Sequence, residues 1–287
     1  MTTSVSIAGT VIALETPFLP EQSEELLPFL TDREPELSVH LQETERFPRC
    51  ADPVVYQNWN YDVIRDEDGR LCRRYYMNED RAHCYALSRM TEDGKTVELF
   101  CLPGERERVR CLANLFYHIQ LESLLLRQNC VILHAACVET ALGGLLFSGP
   151  SGIGKSTQAE LWCRFEGARL LNGDRPILGR RSGVWRAYGS PYAGSSKCYR
   201  NDSTPVRALI LLEQGPACVI RRASCAEAVR RLLEQITLNQ WDPAFVSRVC
   251  ALLDALLGEI PVYVLRCTPD RRAVDLLRQT LAADGRA

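Results

Sequence analysis

One short segment carries residue types and spacing that suit phosphate chemistry. Residues 149–156 read Gly-Pro-Ser-Gly-Ile-Gly-Lys-Ser, which matches the phosphate-binding pattern G-x-x-x-x-G-K-[ST]. An apolar run precedes the segment and a helical pattern follows it, so a row of backbone N–H groups and a helix N-terminus should face one anion. The segment therefore predicts a nucleotide site for ATP or GTP with Mg²⁺, and ATP is the expected nucleotide.

The residues of this loop have distinct predicted tasks. Lys155 is expected to reach the β- and γ-phosphates, and the hydroxyl of Ser156 to bind Mg²⁺. The glycines allow the backbone to wrap phosphates without Cβ clashes. The predicted cofactor-binding residues are Gly149, Ser151, Gly152, Ile153, Gly154, Lys155, Ser156 and Thr157.

An aspartate follows the loop at a short distance along the chain. Asp174 ends the predicted strand RLLNGD, 19 residues after Lys155. In an open α/β sheet the carboxyl end of such a strand faces the crevice that holds the phosphate loop. We therefore expect Asp174 to bind Mg²⁺ or to accept the proton of an attacking hydroxyl; the alternative is a plain turn aspartate.

A basic stretch comes directly after Asp174. Residues 175–200 contain six basic residues and no acidic ones. Within it, Arg175, Lys197 and Arg200 are candidate contacts to phosphates or to an anionic acceptor. A solvated basic face is the alternative, and it is the preferred interpretation for Arg180 and Arg181 in a predicted hairpin turn.

The elements that must position these residues fall into three predicted regions. Residues 1–104 predict a β-rich module with a hairpin meander, beginning with one strand through VSIAGTVIAL. Residues 105–130 predict a single bridging helix, because apolar residues recur at helical spacing. Residues 131–287 alternate strands and helices, as in an α/β nucleotide-binding domain, with Thr268 predicted to cap the last helix.

The composition narrows the class of protein. The chain has 287 residues, a net charge of −2 and 46% hydrophobic residues, values ordinary for a globular protein. We expect no nucleic-acid partner because the chain has no overall basic excess. No apolar run is long enough for a membrane helix, and the first residues lack the basic start of a secretion signal, so we expect a cytoplasmic protein.

The cysteines are numerous but show no metal-binding spacing. The chain contains thirteen, and the nearest two are seven positions apart, so there is no C-x-x-C pair. Several lie in apolar runs, as Cys137 and Cys250 do. Reduced, buried thiols are therefore the expected state.

The segment LHAACVETALGGLLFSGPSGIGKST, followed by ARLLNGD, resembles the catalytic domain of HPr kinase/phosphorylase and, more distantly, ATP-dependent phosphoenolpyruvate carboxykinases. The resemblance covers about residues 130–280, with its specific part at 134–200. It implies a P-loop, HPr kinase-like α/β domain. It also implies that His134, otherwise an isolated strand histidine, is the active-site histidine, and that Asp174 is the general base toward an acceptor serine.

Two positions depart from HPr kinase/phosphorylase: Thr157 replaces an acidic residue and Arg175 replaces a second aspartate. The chain looks closer to HPr kinase-like proteins, some of which phosphorylate serine in modified peptides or free serine. The expected activity is ATP-dependent transfer to a hydroxyl of a peptide, protein or small molecule, with His134, Lys155 and Asp174 as catalytic residues.

Two alternative functions stay open. One is a carboxykinase-like reaction on a small acid, and the other is that of a non-catalytic nucleotide-binding partner or switch protein that uses the acidic β module. Assembly into a homo-oligomer is open as well.

Overall fold

The computed structural model describes residues 2–17, 24–77, 81–110 and 112–285. The chain folds into two compact units, Met1–Leu125 and Leu126–Ala287. Over the described residues, the strands of the first unit form an eight-stranded sheet and those of the second a nine-stranded sheet. Helices accompany both sheets, so the architecture is mixed α/β. None of the helices in these ranges has the length and apolar character needed to cross a bilayer.

The sheet of the first unit has the strand order β1-β2-β3-β8-β7-β6-β5-β4. From β4 to β8 consecutive strands pair antiparallel, which confirms the predicted meander, whereas β3 pairs in parallel with β2 and β8. The strands are β1 Thr2–Ile7, β2 Thr10–Glu15, β3 Leu37–Glu43, β4 Cys50–Gln57, β5 Tyr61–Asp66, β6 Leu71–Tyr76, β7 Cys84–Met90 and β8 Thr96–Cys101.

The single first strand predicted through VSIAGTVIAL is wrong, because the segment folds as the β1–β2 hairpin. Ala8 and Gly9 form its two-residue turn with φ of 50° and 76°. Two positive φ values are typical of a type I′ turn, which usually carries Asn-Gly or Asp-Gly. The apolar alternation continues through the turn, so the pattern gave no sign of the reversal.

The single helix predicted over 105–130 is also wrong, because its described residues form short helices with a break at Gln120. These are α1 Arg106–Arg110, α2 Leu112–His118 and α3 Leu121–Arg127. Between α2 and α3, Gln120 has φ of 53°, a left-handed conformation that ends a helix. Its side chain donates to Ser88 Oγ at 2.9 Å, so a tertiary contact accompanies the break.

The sheet of the second unit has the order β12-β10-β11-β15-β14-β13-β9, and β17 pairs with β15 and β16. Strands β11, β15 and β17 are parallel, and β12 runs in the same direction because both β11 and β12 pair antiparallel with β10. The strands are β9 Cys130–Ile132, β10 Ala135–Thr140, β11 Gly143–Ser148, β12 Arg169–Asn172, β13 Ile177–Arg181, β14 Val184–Tyr188, β15 Ser203–Gln214, β16 Val219–Arg222 and β17 Val262–Cys267.

Helices cover both faces of this sheet. In β15, Leu209 and Leu211 pack into the core that includes Leu232 and Val249, whereas Ile210 packs into the core that includes Trp162. This alternation follows from the two-residue period of a strand. The helices are α4 Lys155–Glu166, α5 Cys225–Leu233, α6 Pro243–Glu259 and α7 Arg271–Ala283.

The helix starts in this unit agree only partly with the sequence. Ser224, which forms a capping-box sequence pattern with Glu227, caps α5 by accepting from the backbone N–H of Glu227 at 3.3 Å. The prediction that Thr268 caps α7 is wrong. Asp270 is the cap and accepts from Arg272 N at 2.9 Å, while Thr268 Oγ1 donates to the Asp270 carboxylate. Aspartate is the better cap because its charge also favours a helix N-terminus.

Candidate phosphate-binding site

The predicted phosphate loop connects the end of β11 to the start of α4. Gly149, Gly152 and Gly154 have φ of 147°, 77° and 109°, conformations in which residues with a Cβ are strained. Gly154 occupies the N-cap position and offers no side chain to the first N–H groups of α4. Those N–H groups are therefore left for an anion at the helix N-terminus.

Lys155 holds its ammonium group over this loop. Its Nζ donates to the carbonyl oxygens of Gly149 and Pro150, each at 3.0 Å. The residue is only 8% exposed, and this burial lowers its pKa, while nearby Asp174 acts in the opposite direction. The loop thus carries a positive charge whose partners are neutral carbonyls, which an anionic ligand can replace.

The sheet brings His134 and Asp174 together next to Lys155. Asp174 lies two residues beyond the end of β12, and His134 lies between β9 and β10. The Nε2 atom of His134 is 3.5 Å from Asp174 Oδ1. The backbone N–H of Ala135 donates to the carbonyl of Asp174 at 2.9 Å, so the two segments are also joined through the main chain.

The surroundings of His134 favour its neutral form. Burial, and next the positive charge of Lys155, lower its pKa, while Asp174 raises it. Its Nδ1 lies 3.2 Å from Gln235 Oε1, and its backbone N–H donates to the Gln235 carbonyl at 2.8 Å. A neutral imidazole has one N–H, so the ring can donate to Gln235 or to Asp174 but not to both.

Asn172, which the sequence analysis missed, holds the turn that carries Asp174. Its Oδ1 accepts from the backbone N–H groups of Asp174 at 3.0 Å and Arg175 at 2.8 Å. Its Nδ2 donates to the carbonyls of Ser190 at 3.3 Å and Tyr192 at 3.2 Å, and the residue is fully buried. An asparagine that accepts from the N–H two residues ahead forms an Asx turn, so the letters Asn-Gly-Asp contained this signal.

The segment 190–200 closes the other side of Asp174. Gly194 has φ of 54°, and a Cβ added there would lie 2.9 Å from Asp174 Cβ. A Cβ added at Gly173 would lie 2.3 Å from Ser196 Oγ. A side chain at either position would force its neighbour to shift, so this close approach favours glycine at both positions.

These residues surround a cavity of about 320 Å³. This volume is at the lower end of the range typical of small-molecule sites. The lining residues are His134, Ser151, Gly152, Gly154, Lys155, Ser156, Thr157, Gly173, Asp174 and Ser195. The structure therefore places His134, Lys155, Ser156 and Asp174 on one cavity.

Other predicted residues lie elsewhere. Gly149 and Ile153 line neighbouring cavities. Among the described residues that line the 320 Å³ cavity, Lys197 and Arg200 are absent; both are exposed, and Arg200 Nε donates to Cys198 Sγ at 3.3 Å. Arg175 Nε lies 3.6 Å from Asp174 Oδ2, beside the cavity rather than on its wall.

The oxygen atoms at the site suit a magnesium ion that arrives with a nucleotide. Within the described ranges, no three His, Cys, Asp or Glu side chains are grouped as a metal site. Mg²⁺ commonly takes only one or two protein oxygens and completes its shell with water and phosphate. The Ser156 hydroxyl and the Asp174 carboxylate, on the same cavity as Lys155, fit this pattern.

Comparison with known proteins gives only distant structural likeness. No protein-family model matches the chain, and no curated protein matches it. Among solved structures, the Hpr(Ser) kinase/phosphatase from Coxiella burnetii is similar over 54% of this chain and 90% of that chain, with 16% identity and a TM-score of 0.32. This likeness is weak, so the function of the chain must be inferred from its own residues.

Proposed function

We propose that the chain is a Mg²⁺-dependent phosphotransferase that moves the γ-phosphate of ATP to a hydroxyl group, that of serine, in a peptide, a protein or a small molecule. The observation that carries the proposal is that the phosphate loop, Lys155, His134 and Asp174 line one cavity of about 320 Å³. Cation, helix N-terminus and carboxylate are the groups that phosphoryl transfer requires.

The loop and Lys155 bind the phosphate groups. The N–H groups at the start of α4 bind phosphate oxygens, and Lys155 exchanges the carbonyls of Gly149 and Pro150 for them. Bound Mg-ATP supplies the transferable phosphoryl group and a metal charge that offsets charge on the phosphates. Because Lys155 is buried, its attraction for phosphate is weakened less by water than that of an exposed lysine.

Asp174 takes the proton of the acceptor. As the acceptor oxygen forms its bond to the γ-phosphorus, the bond from that phosphorus to the leaving oxygen of ADP breaks. The hydroxyl proton passes to the Asp174 carboxylate. His134, 3.5 Å away, orients this carboxylate, and Ser195 lies on the wall of the same cavity.

A non-catalytic nucleotide-binding protein is the second candidate. One observation favours it: among the described residues that line the cavity, Asp174 is the sole carboxylate. A single carboxylate must then serve either the metal or the acceptor proton. A protein that binds Mg-ATP without transferring phosphate needs only the first role.

Binding and turnover measured together test the proposal. Mg-ATP is titrated into the full chain by calorimetry, and ATP consumption is followed with free L-serine, a library of serine-containing peptides or small carboxylic acids. We expect binding, and ATP consumption with a phosphoserine product only in the serine arms. Binding without turnover in any arm assigns the chain to the non-catalytic class, turnover only with an acid assigns it a carboxykinase-like reaction, and no binding overturns both nucleotide proposals.

A further inference from the structure

We infer that a second cavity, on the opposite side of the phosphate loop, receives the nucleoside of the bound nucleotide, and that Gln158 recognises the amino group of its purine base. This inference rests on the proposed function. The second cavity has a volume of about 360 Å³ and shares Gly152, Gly154 and Thr157 with the cavity that contains Asp174. A molecule lying across the loop can therefore occupy both.

The sheet order tells which end of the nucleotide lies in which cavity. Strands β10 and β12 lie on one side of β11, and Asp174 follows β12. Strands β15 and β17 lie on the other side, and their carboxyl ends contribute Leu212 and Cys267 to the second cavity. The reacting phosphate faces Asp174, so the chain of phosphates leads away toward β15 and β17. Crevices at the carboxyl ends of parallel strands are common ligand sites.

The walls of the second cavity suit an uncharged, flat ring. Ile153, Leu212, Cys267 and Pro269 supply apolar surface. Burial raises the pKa of Cys267 to about 11, so its thiol stays neutral. Glu213 is also at the wall, and its charge is matched by Arg231 at 2.9 Å and Arg266 at 3.1 Å. A purine gains from apolar contacts of this kind, with a few polar groups to fix its orientation.

Gln158 supplies the polar group. It is only 3% exposed and lies in the first turn of α4, at the wall of the second cavity. Its Nε2 lies 3.2 Å from Cys267 Sγ, whereas its Oε1 is buried and has no hydrogen-bond partner. Leaving a buried acceptor unsatisfied is unfavourable, so this oxygen gains from a donor on a ligand. A turn of the amide toward the cavity would let it pair with a purine amino group, as glutamine does with adenine.

A ligand series separates the base from the phosphates. The probes are ATP, purine riboside triphosphate, which lacks the amino group, and inorganic tripolyphosphate, each with Mg²⁺. They are titrated into the wild type, into Gln158→Leu and into Gln279→Leu, a control at an exposed position on α7. We expect the wild type and the control to bind ATP about 3–10-fold more tightly than purine riboside triphosphate, the size of one hydrogen bond. Gln158→Leu should remove this ratio and leave tripolyphosphate affinity unchanged.

The outcomes distinguish the role of Gln158 from phosphate binding by the loop. Equal affinity of the wild type for ATP and purine riboside triphosphate, or a ratio that survives in Gln158→Leu, overturns the role of Gln158. A wild type that does not bind tripolyphosphate overturns the phosphate loop itself, and the inference with it. Photolabelling of the wild type with 8-azido-ATP needs no variant: label on residues 213–215 or 267–269 supports the pocket, and label confined to residues 190–200 overturns it.

Discussion

His134 Nε2 lies 3.5 Å from Asp174 Oδ1, and the main chains beside the two side chains are joined by the hydrogen bond from Ala135 N to Asp174 O at 2.9 Å. The pair is therefore held by a main-chain hydrogen bond to the first residue of β10 as well as by the side chains. Substitution of either side chain should therefore affect the reaction more than the position of the main chain.

Gly194→Ala should disturb the position of Asp174. The added Cβ would lie 2.9 Å from Asp174 Cβ, and Gly194 also has φ of 54°. The matched control is Gly183→Ala, where φ is 80° and an added Cβ meets nothing within 4 Å. Both variants should lose about 1 kcal/mol of unfolding free energy because of the positive φ. Only Gly194→Ala should slow phosphoryl transfer, by about tenfold or more.

Urea unfolding and transfer from γ-labelled ATP measure the two effects separately. If both glycine variants keep wild-type transfer rates, the segment 190–200 does not set the position of Asp174.

Asn172→Ala should weaken both the fold and the reaction. The substitution removes the acceptor for the N–H groups of Asp174 and Arg175 and the donor to two carbonyls, all in a fully buried place. We expect a loss of about 2–4 kcal/mol in unfolding free energy, since several buried groups lose partners. Transfer should fall more than affinity for tripolyphosphate, which the loop binds. Asn201→Ala, at an exposed position, is the control, and equal stability of the two variants would contradict this role.

His134 should make stability depend on pH. Burial and Lys155 lower its pKa below the ordinary value of about 6.5, so the unfolded chain binds the proton more readily than the folded chain. The resulting destabilisation is complete below the lowered pKa and disappears as pH rises to the ordinary value. The unfolding free energy of the wild type should therefore rise relative to that of His134→Gln across this window and stay level above it. Urea unfolding from pH 5 to 8 measures the difference. Unfolding free energies of the wild type and His134→Gln that change in parallel with pH would show that the pKa of His134 is not shifted.

Local pattern was enough to predict the loop and the aspartate. Residues 149–156 span the turn after β11 and the first two residues of α4, so adjacent residues alone define the pattern. Asp174 follows from the end of a recognisable strand. Gln235, by contrast, reaches His134 from a position 101 residues away, and nothing in its neighbourhood marks it.

The basic charges in the sequence did not predict where the side chains that carry them point. Lys197 and Arg200 belong to a basic stretch, but only backbone geometry decides where such side chains point, and both are exposed away from the cavity wall. Lys197 itself has φ of 48°, a left-handed conformation that no propensity predicts for lysine. The turn at Ala8-Gly9 was missed for a related reason, because alanine seldom takes a positive φ.

Lys155→Ala should weaken Mg-ATP binding at least tenfold, on the order of the 1.4 kcal/mol or more that a buried cation contributes to phosphate binding. The backbone donors at the start of α4 remain, so residual binding is expected. Lys95→Ala, in the first unit, controls for a general loss of positive charge. Calorimetry with both variants decides the matter, and unchanged ATP affinity in Lys155→Ala would remove the phosphate-loop interpretation.

The central claim is that Asp174 accepts the proton of the acceptor hydroxyl. Asp174→Asn keeps the size and polarity of the side chain but removes most of its basicity, while the loop, Lys155 and Ser156 stay intact. ATP affinity should remain within about twofold and phosphoryl transfer should fall by about 10²-fold or more, the usual scale for a lost acid–base group.

The decisive measurement is the transfer rate of Asp174→Asn, with ATP binding followed in parallel at several Mg²⁺ concentrations. We expect a rate that stays low at every Mg²⁺ concentration while ATP remains bound. Recovery of the rate at high Mg²⁺ would assign Asp174 to the metal instead, and a wild-type transfer rate would contradict its role in the chemistry.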